Sequence, residues 1–150
     1  MCSGKIILSA NKKSTKTANS EYTFHISSYD TDGKVCMYEA LFKNPGQTKS
    51  VHYHKFITET FTVLEGEFYF YVGKDEYVLV PGDSLVLPPN TVHGFRSKEP
   101  NSRVMIAFSD SKNRDDFFIE LAQIANGEIV LNAEELEAFY NRYDQYNGPF

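Results

Sequence analysis

Between Glu21 and Phe108 the chain is cut into short runs rich in Phe, Tyr, Val and Leu, with turn residues between them at close intervals. The runs at Thr60 to Leu64, Phe68 to Val72, Tyr77 to Val80, Ser84 to Leu87 and Arg103 to Phe108 are strand-like. The intervals are too short for the helical crossovers that a parallel α/β sheet requires, so a mainly all-β sandwich or barrel is expected. Two further runs between Glu21 and Phe42 flank Asp30-Thr-Asp-Gly33, where a glycine supplies positive φ, and predict a hairpin. Phe68-Tyr-Phe-Tyr-Val72 is apolar on both faces. One face is expected to line the interior and the other to meet a second sheet, a helix or another subunit, which motivates a homodimer as the expected assembly.

After Phe108 the period changes. Phe117, Leu121, Ile124 and Ala125 recur at helical spacing, with Asn113 placed to cap the start and Gly127 to stop the helix. Asn132 and Glu135 form a capping-box pair ahead of Leu136, Phe139, Tyr140 and Tyr143, predicting a second short helix. Residues 113–143 therefore carry two short helices that cover the barrel. No segment is long enough to be an interdomain linker, so residues 1–150 are read as one domain, with 1–20 a flexible arm and 35–108 the barrel core.

A chain of 150 residues with 41% apolar content can bury a core without disulfide staples. The net charge of −5 argues against tracking nucleic-acid phosphates. Lys12, Lys13 and Lys16 lie among Ser, Thr and Asn and read as a solvated arm. The N-terminus lacks an apolar leader core and no stretch approaches the roughly 18 apolar residues of a membrane span, so a cytoplasmic location with no membrane partner is the expectation. Cys2 and Cys36 are read as reduced thiols, Cys36 as a small buried hydrophobe.

The chemistry-bearing residues fall in two blocks. The first reads Gly46-x5-His52-x-His54-x4-Glu59-x6-Gly66 and the second Gly82-x5-Pro88-x-Asn90-x2-His93. On a strand, His52 and His54 point to one side while Tyr53 faces away. Glu59 returns to that side at the start of the next strand, and His93, just past a Pro-Pro-Asn turn, closes the set. Three imidazoles and one carboxylate suit one divalent ion among Fe, Mn, Co, Ni, Cu and Zn, with positions left open for water, oxygen or substrate. His25, outside the blocks, shares a face with Thr23 and Ser27 and reads as solvated.

These paired blocks closely resemble the two motifs of the cupin superfamily, the first supplying two His and a Glu and the second the last His. Asn90 stands where that family usually has Gly, and Ser97 at the usual terminal Asn position, which puts local turn packing there in question. The resemblance covers roughly residues 35 to 108 and implies a double-stranded β-helix, or jelly-roll, barrel. More loosely, Pro45-Gly46, Val92-His93-Gly94-Phe95-Arg96 and Asp116-Phe-Phe-Ile-Glu-Leu121 resemble single-domain cupins of the quercetin 2,3-dioxygenase type.

That resemblance implies ring-opening dioxygenation of a flavonol-like or other small aromatic substrate, with Glu59 as both ligand and proton acceptor. Two alternatives stay open. One is a metal-dependent isomerase or lyase for a sugar or small keto acid, and the other is a non-catalytic module that binds a small molecule.

Overall fold

The computed structural model describes residues 3–149. Eleven strands and two helices follow one another along these residues: β1 (Ser14–Lys16), β2 (Ser20–Ile26), β3 (Val35–Phe42), β4 (His52–Tyr53), β5 (Thr58–Glu65), β6 (Phe68–Val72), β7 (Asp75–Leu79), β8 (Ser84–Leu87), β9 (His93–Ser97), β10 (Ser102–Ser109), α1 (Arg114–Ala125), α2 (Ala133–Arg142) and β11 (Tyr146–Asn147). They form two antiparallel sheets, ordered β1-β2-β3-β10-β5-β8 and β11-β4-β9-β6-β7. This is a jelly roll. Neighbours in each sheet are mostly distant in sequence, so the tight turns, rather than local pairings, carry the chain from one sheet to the other.

Strict alternation explains the inner faces. Along β10 every second residue, Ser102, Val104, Ile106 and Phe108, is buried, and along β5 Glu59, Phe61 and Val63 are buried. Their rings and branched side chains interdigitate with Phe68 and Phe70 of the other sheet. Phe61 meets Phe70 edge-on at 5.0 Å and Phe95 at 4.9 Å. Fully burying each such ring contributes about 1.5–3 kcal/mol.

The expected hairpin is present, with β2 antiparallel to β3 and Gly33 at φ 74° between them. The two-faced run β6 carries Tyr69 and Tyr71 among residues of its own chain. Arg96 lies over the Tyr69 ring at 4.1 Å and its Nε donates to the Tyr71 hydroxyl, while Lys49 lies over Tyr71. Cations of the same chain thus lie over the outer aromatics of this strand.

Both C-terminal helices pack on the barrel. Asn132 and Glu135 complete a reciprocal capping box at α2. Asn113 does stand before α1, but its side chain makes no capping bond; Asp115 and Asp116 in the first turn supply negative charge at that helix end instead. Phe117 stacks on Phe139 of α2 at 5.5 Å, and Phe118 turns towards Tyr22 and Tyr38 of the sheet.

Two readings near the N-terminus are corrected. Residues 14–16 of the expected flexible arm form edge strand β1, paired with Glu21, Tyr22 and Thr23 of β2. His25 is half-buried rather than solvated: Lys12 Nζ donates to its Nδ1 at 2.7 Å, and its Nε2 lies 3.4 Å from Glu39. The two corrections share a cause, because folding the arm back along β2 brings Lys12 onto the outward face of that strand. Cys36 is fully buried and free, with burial pushing its thiol up to about 11. Cys2 lies outside the described residues. No helix among the described residues is long and apolar enough to cross a membrane.

Candidate metal centre

The register of the second sheet sets His52 directly opposite His93 across the β4–β9 pair. His54 follows immediately after β4, and a short loop then carries the chain across the barrel to β5. There Glu59 sits between Leu87 of β8 and Phe108 of β10, on the inner face of the first sheet. The imidazoles therefore come from one sheet side and the carboxylate from the other. Their ligand atoms all lie within 4.8 Å of one another. Glu59 Oε2 is 2.9 Å from His93 Nε2, 3.1 Å from His54 Nε2 and 4.0 Å from His52 Nε2. All four residues are buried, none more than 7% exposed.

Backbone carbonyls fix the imidazole orientation. Nδ1 of His52 meets the Ser50 carbonyl at 2.7 Å, Nδ1 of His54 meets that of Asp144 at 2.6 Å, and Nδ1 of His93 meets that of Thr91 at 2.8 Å. A carbonyl only accepts, so each Nδ1 carries the proton and each inward-turned Nε2 keeps a lone pair available for coordination. Three inward imidazole nitrogens and one carboxylate form a donor set that fits a first-row divalent metal, which His52, His54, Glu59 and His93 would hold.

The electrostatics of the metal-free cluster point the same way. Burial pushes His52 down to about 3; Glu59 opposes this, and the neighbouring His93 and His54 deepen it. Burial also acts to lower His93, but the bond and charge of Glu59 outweigh it and hold His93 above its ordinary value. Glu59 itself is held well below the usual carboxylate range, because hydrogen bonds from His54 and His93 overcome a large desolvation effect that acts to raise it.

Two loops lock the blocks together. Asn90 adopts the left-handed conformation at φ 66°, and its N–H donates to the His54 carbonyl at 2.6 Å. Ser97 does not disturb its turn: it is buried, donates to the Asn44 carbonyl at 3.0 Å and accepts from the Gly46 N–H at 3.1 Å. Gly46 must be glycine-sized here, since a Cβ would stand 2.7 Å from that of Arg96.

Sequence reading missed two contributors. Asp144, also left-handed at φ 55°, gives its carbonyl to His54, and its carboxylate accepts the N–H groups of Lys55, Phe56 and Ile57 at 3.0, 2.9 and 3.1 Å. It thus clamps the loop that joins His54 to Glu59. Arg114, the first residue of α1, is 2% exposed and stacks on Phe117 at 4.0 Å and Phe108 at 4.4 Å.

A cavity of about 340 Å³ opens onto the cluster, with His52, Glu59 and Arg114 on its lining and Tyr22, Phe42, Phe95, Phe108 and Phe118 among its walls. Its size is that of a small-molecule site. A second cavity, of about 420 Å³, lies beneath the N-terminal segment beside Tyr29 and Ile119 and contains none of the four clustered residues.

Comparison with known proteins places this architecture. The cupin-domain family matches residues 43–108, a span that holds all four clustered residues. KdgF from Halomonas sp. superposes with a TM-score of 0.65 at 20% identity, covering 75% of this chain and 99% of that one. The chain has the cupin fold, and its residues 43–108 match the cupin-domain family. An RmlC-like cupin from Shewanella frigidimarina shares the fold at a TM-score of 0.58 and 19% identity, covering 77% of this chain and 96% of that one. Over 45 residues this chain is 49% identical to quercetin 2,3-dioxygenase of Bacillus subtilis (strain 168); the match spans 30% of this chain and 13% of that protein.

Proposed function

We propose that this chain is a mononuclear metal enzyme acting on a small aromatic substrate, with ring-opening dioxygenation of a flavonol-like or other small aromatic molecule as its reaction. The observation that carries the proposal is the placement of a three-imidazole, one-carboxylate cluster on the lining of an aromatic-walled cavity. The local identity to quercetin 2,3-dioxygenase supports that chemistry.

His52, His54, Glu59 and His93 would hold one divalent ion of Fe, Mn, Co, Ni, Cu or Zn. When bound, such an ion supplies a Lewis acid for a substrate oxygen and, if redox-active, a partner for dioxygen. The chain supplies the rest. Phe42, Phe95 and Phe108 offer ring faces and edges against which a planar substrate packs, and they exclude water. Among the described lining residues Glu59 is the only carboxylate, so it is the group placed to take the proton of a substrate hydroxyl.

The test is anaerobic mixing of Fe-, Mn-, Co- or Ni-loaded protein with a panel of flavonols, followed by admission of air. Oxygen uptake that depends on the flavonol and on Glu59 is expected, and no uptake with any pair sinks the proposal. Arg114 and Gln145 on the same lining favour a second reading, in which the ion polarises a carbonyl of a small acid for isomerisation or lysis. Product formed without oxygen consumption would select that reading.

A further inference from the structure

The cavity beside the cluster contains a buried cation that the proposed chemistry leaves without a role. Arg114 offers five N–H donors. Nη1 donates to the Tyr143 carbonyl at 3.2 Å and Nη2 to the Gln145 side-chain oxygen at 3.1 Å, while Nε meets no acceptor among the described residues. Both acceptors are neutral, and the rings of Phe108 and Phe117 that flank the guanidinium offset only part of its charge.

The neighbouring carboxylates are committed elsewhere. Asp115 accepts from Ser27, from the Ser28 N–H and hydroxyl, and from Tyr38. Asp144 accepts from three backbone N–H groups of the Lys55–Ile57 loop. Glu59, the carboxylate on the cavity lining, belongs to the histidine cluster. With a divalent ion bound there, the ion, Arg114 and Glu59 together leave the floor of the cavity with net positive charge. A buried charge without a counter-ion is costly, and the unmet partner is negative.

We infer that Arg114 is an anion-binding residue and that the ligand of this cavity carries a carboxylate. The inference rests on the reading of the cavity as the ligand site; within the small aromatic class it selects acids, whose apolar portion the aromatic walls accept, over flavonols, which carry no carboxylate. A guanidinium is the side chain that matches a carboxylate in plane and in donor spacing, and its remaining N–H groups suffice for a paired contact. A carboxylate received there adds charge pairing in a site of low dielectric.

The test uses calorimetric titration of the purified full chain, as isolated and again after chelation, with two pairs of probes: acetate against acetamide, and benzoate against benzamide. At least one acid should bind tenfold or more tightly than its amide, both with and without metal. Arg114→Gln should abolish that preference and Arg114→Lys should retain part of it, with a cooperative thermal transition checked for each. Because the wild-type comparison needs no variant, a variant that fails to fold does not shelter the inference. Equal binding of acid and amide by wild type, binding of neither, or a preference that survives in Arg114→Gln would overturn it. A preference that disappears on chelation would also overturn it, since the metal alone would then hold the anion. Absence of metal from the isolated protein would count against the metal reading and leave the Arg114 preference measurable.

Discussion

Asp144 lies 90 residues from His54, yet it holds that histidine and the loop leading to Glu59. Replacing it by Gly keeps the left-handed backbone accessible while removing the carboxylate that accepts three N–H groups. Lys55 and Phe56 are exposed and water can replace the carboxylate there, at a cost of about 0.5 kcal/mol each. Ile57 is buried at 3% exposure, and stranding its N–H costs about 1–2 kcal/mol more. The sum is about 2–3 kcal/mol, or roughly 5–10 °C in Tm for a chain of this size. Loss of the clamp also frees the Asp144 carbonyl that fixes His54 Nδ1, and losing such an orienting partner typically weakens metal affinity about 10–100-fold. Differential scanning calorimetry and competition with a metallochromic chelator measure the two effects. Asp144→Asn, which keeps an acceptor oxygen and tolerates the backbone, should lie between Asp144→Gly and wild type in both. Wild-type metal affinity in Asp144→Gly would refute the clamp.

Three further outcomes follow from the same geometry. His54→Ala should reduce metal content far below that of His25→Ala, because His25 faces Lys12 and Glu39 and not the cluster; equal content by elemental analysis would contradict the ligand set. The metal-free protein should lose stability as pH falls below about 6.5, because His52, held at about 3 when folded, takes up a proton on unfolding; Glu59 adds the same sign below 4.5, whereas His93 loses its contribution only as pH rises above 6.5. His52→Gln should flatten the Tm profile between 6.5 and 4.5, and an unchanged slope would exclude His52 as its source. Gly94→Ala should destabilise severely, since a Cβ there falls on the Lys49 carbonyl oxygen, and a Tm near that of wild type would show that this packing is misread.

The elements that the sequence made legible are those in which local chemistry and tertiary packing agree. Alternation in β5 and β10, the reciprocal cap of Asn132 and Glu135, and the His-x-His spacing each state their structure within a few residues. The two-residue strand β11 has no such signal, because its pairing is fixed by the partner: Tyr146 lies opposite Tyr53 and Asn147 opposite His52. Asp144 and Arg114 were illegible for the same reason. An Asp after a helix reads as a polar stop, and an Arg between Asn113 and Asp115 reads as a solvated first turn. Only the folding of the C-terminal segment against the barrel turns one into the support of a histidine and buries the other beside the cluster.

The most direct measurement of the central claim is elemental analysis of freshly purified, untagged protein beside the His52→Ala/His54→Ala variant. The account predicts about one first-row divalent ion per chain in the wild type and almost none in the variant. Equal metal in both proteins, or none in the wild type after supplementation with each candidate ion, would contradict it.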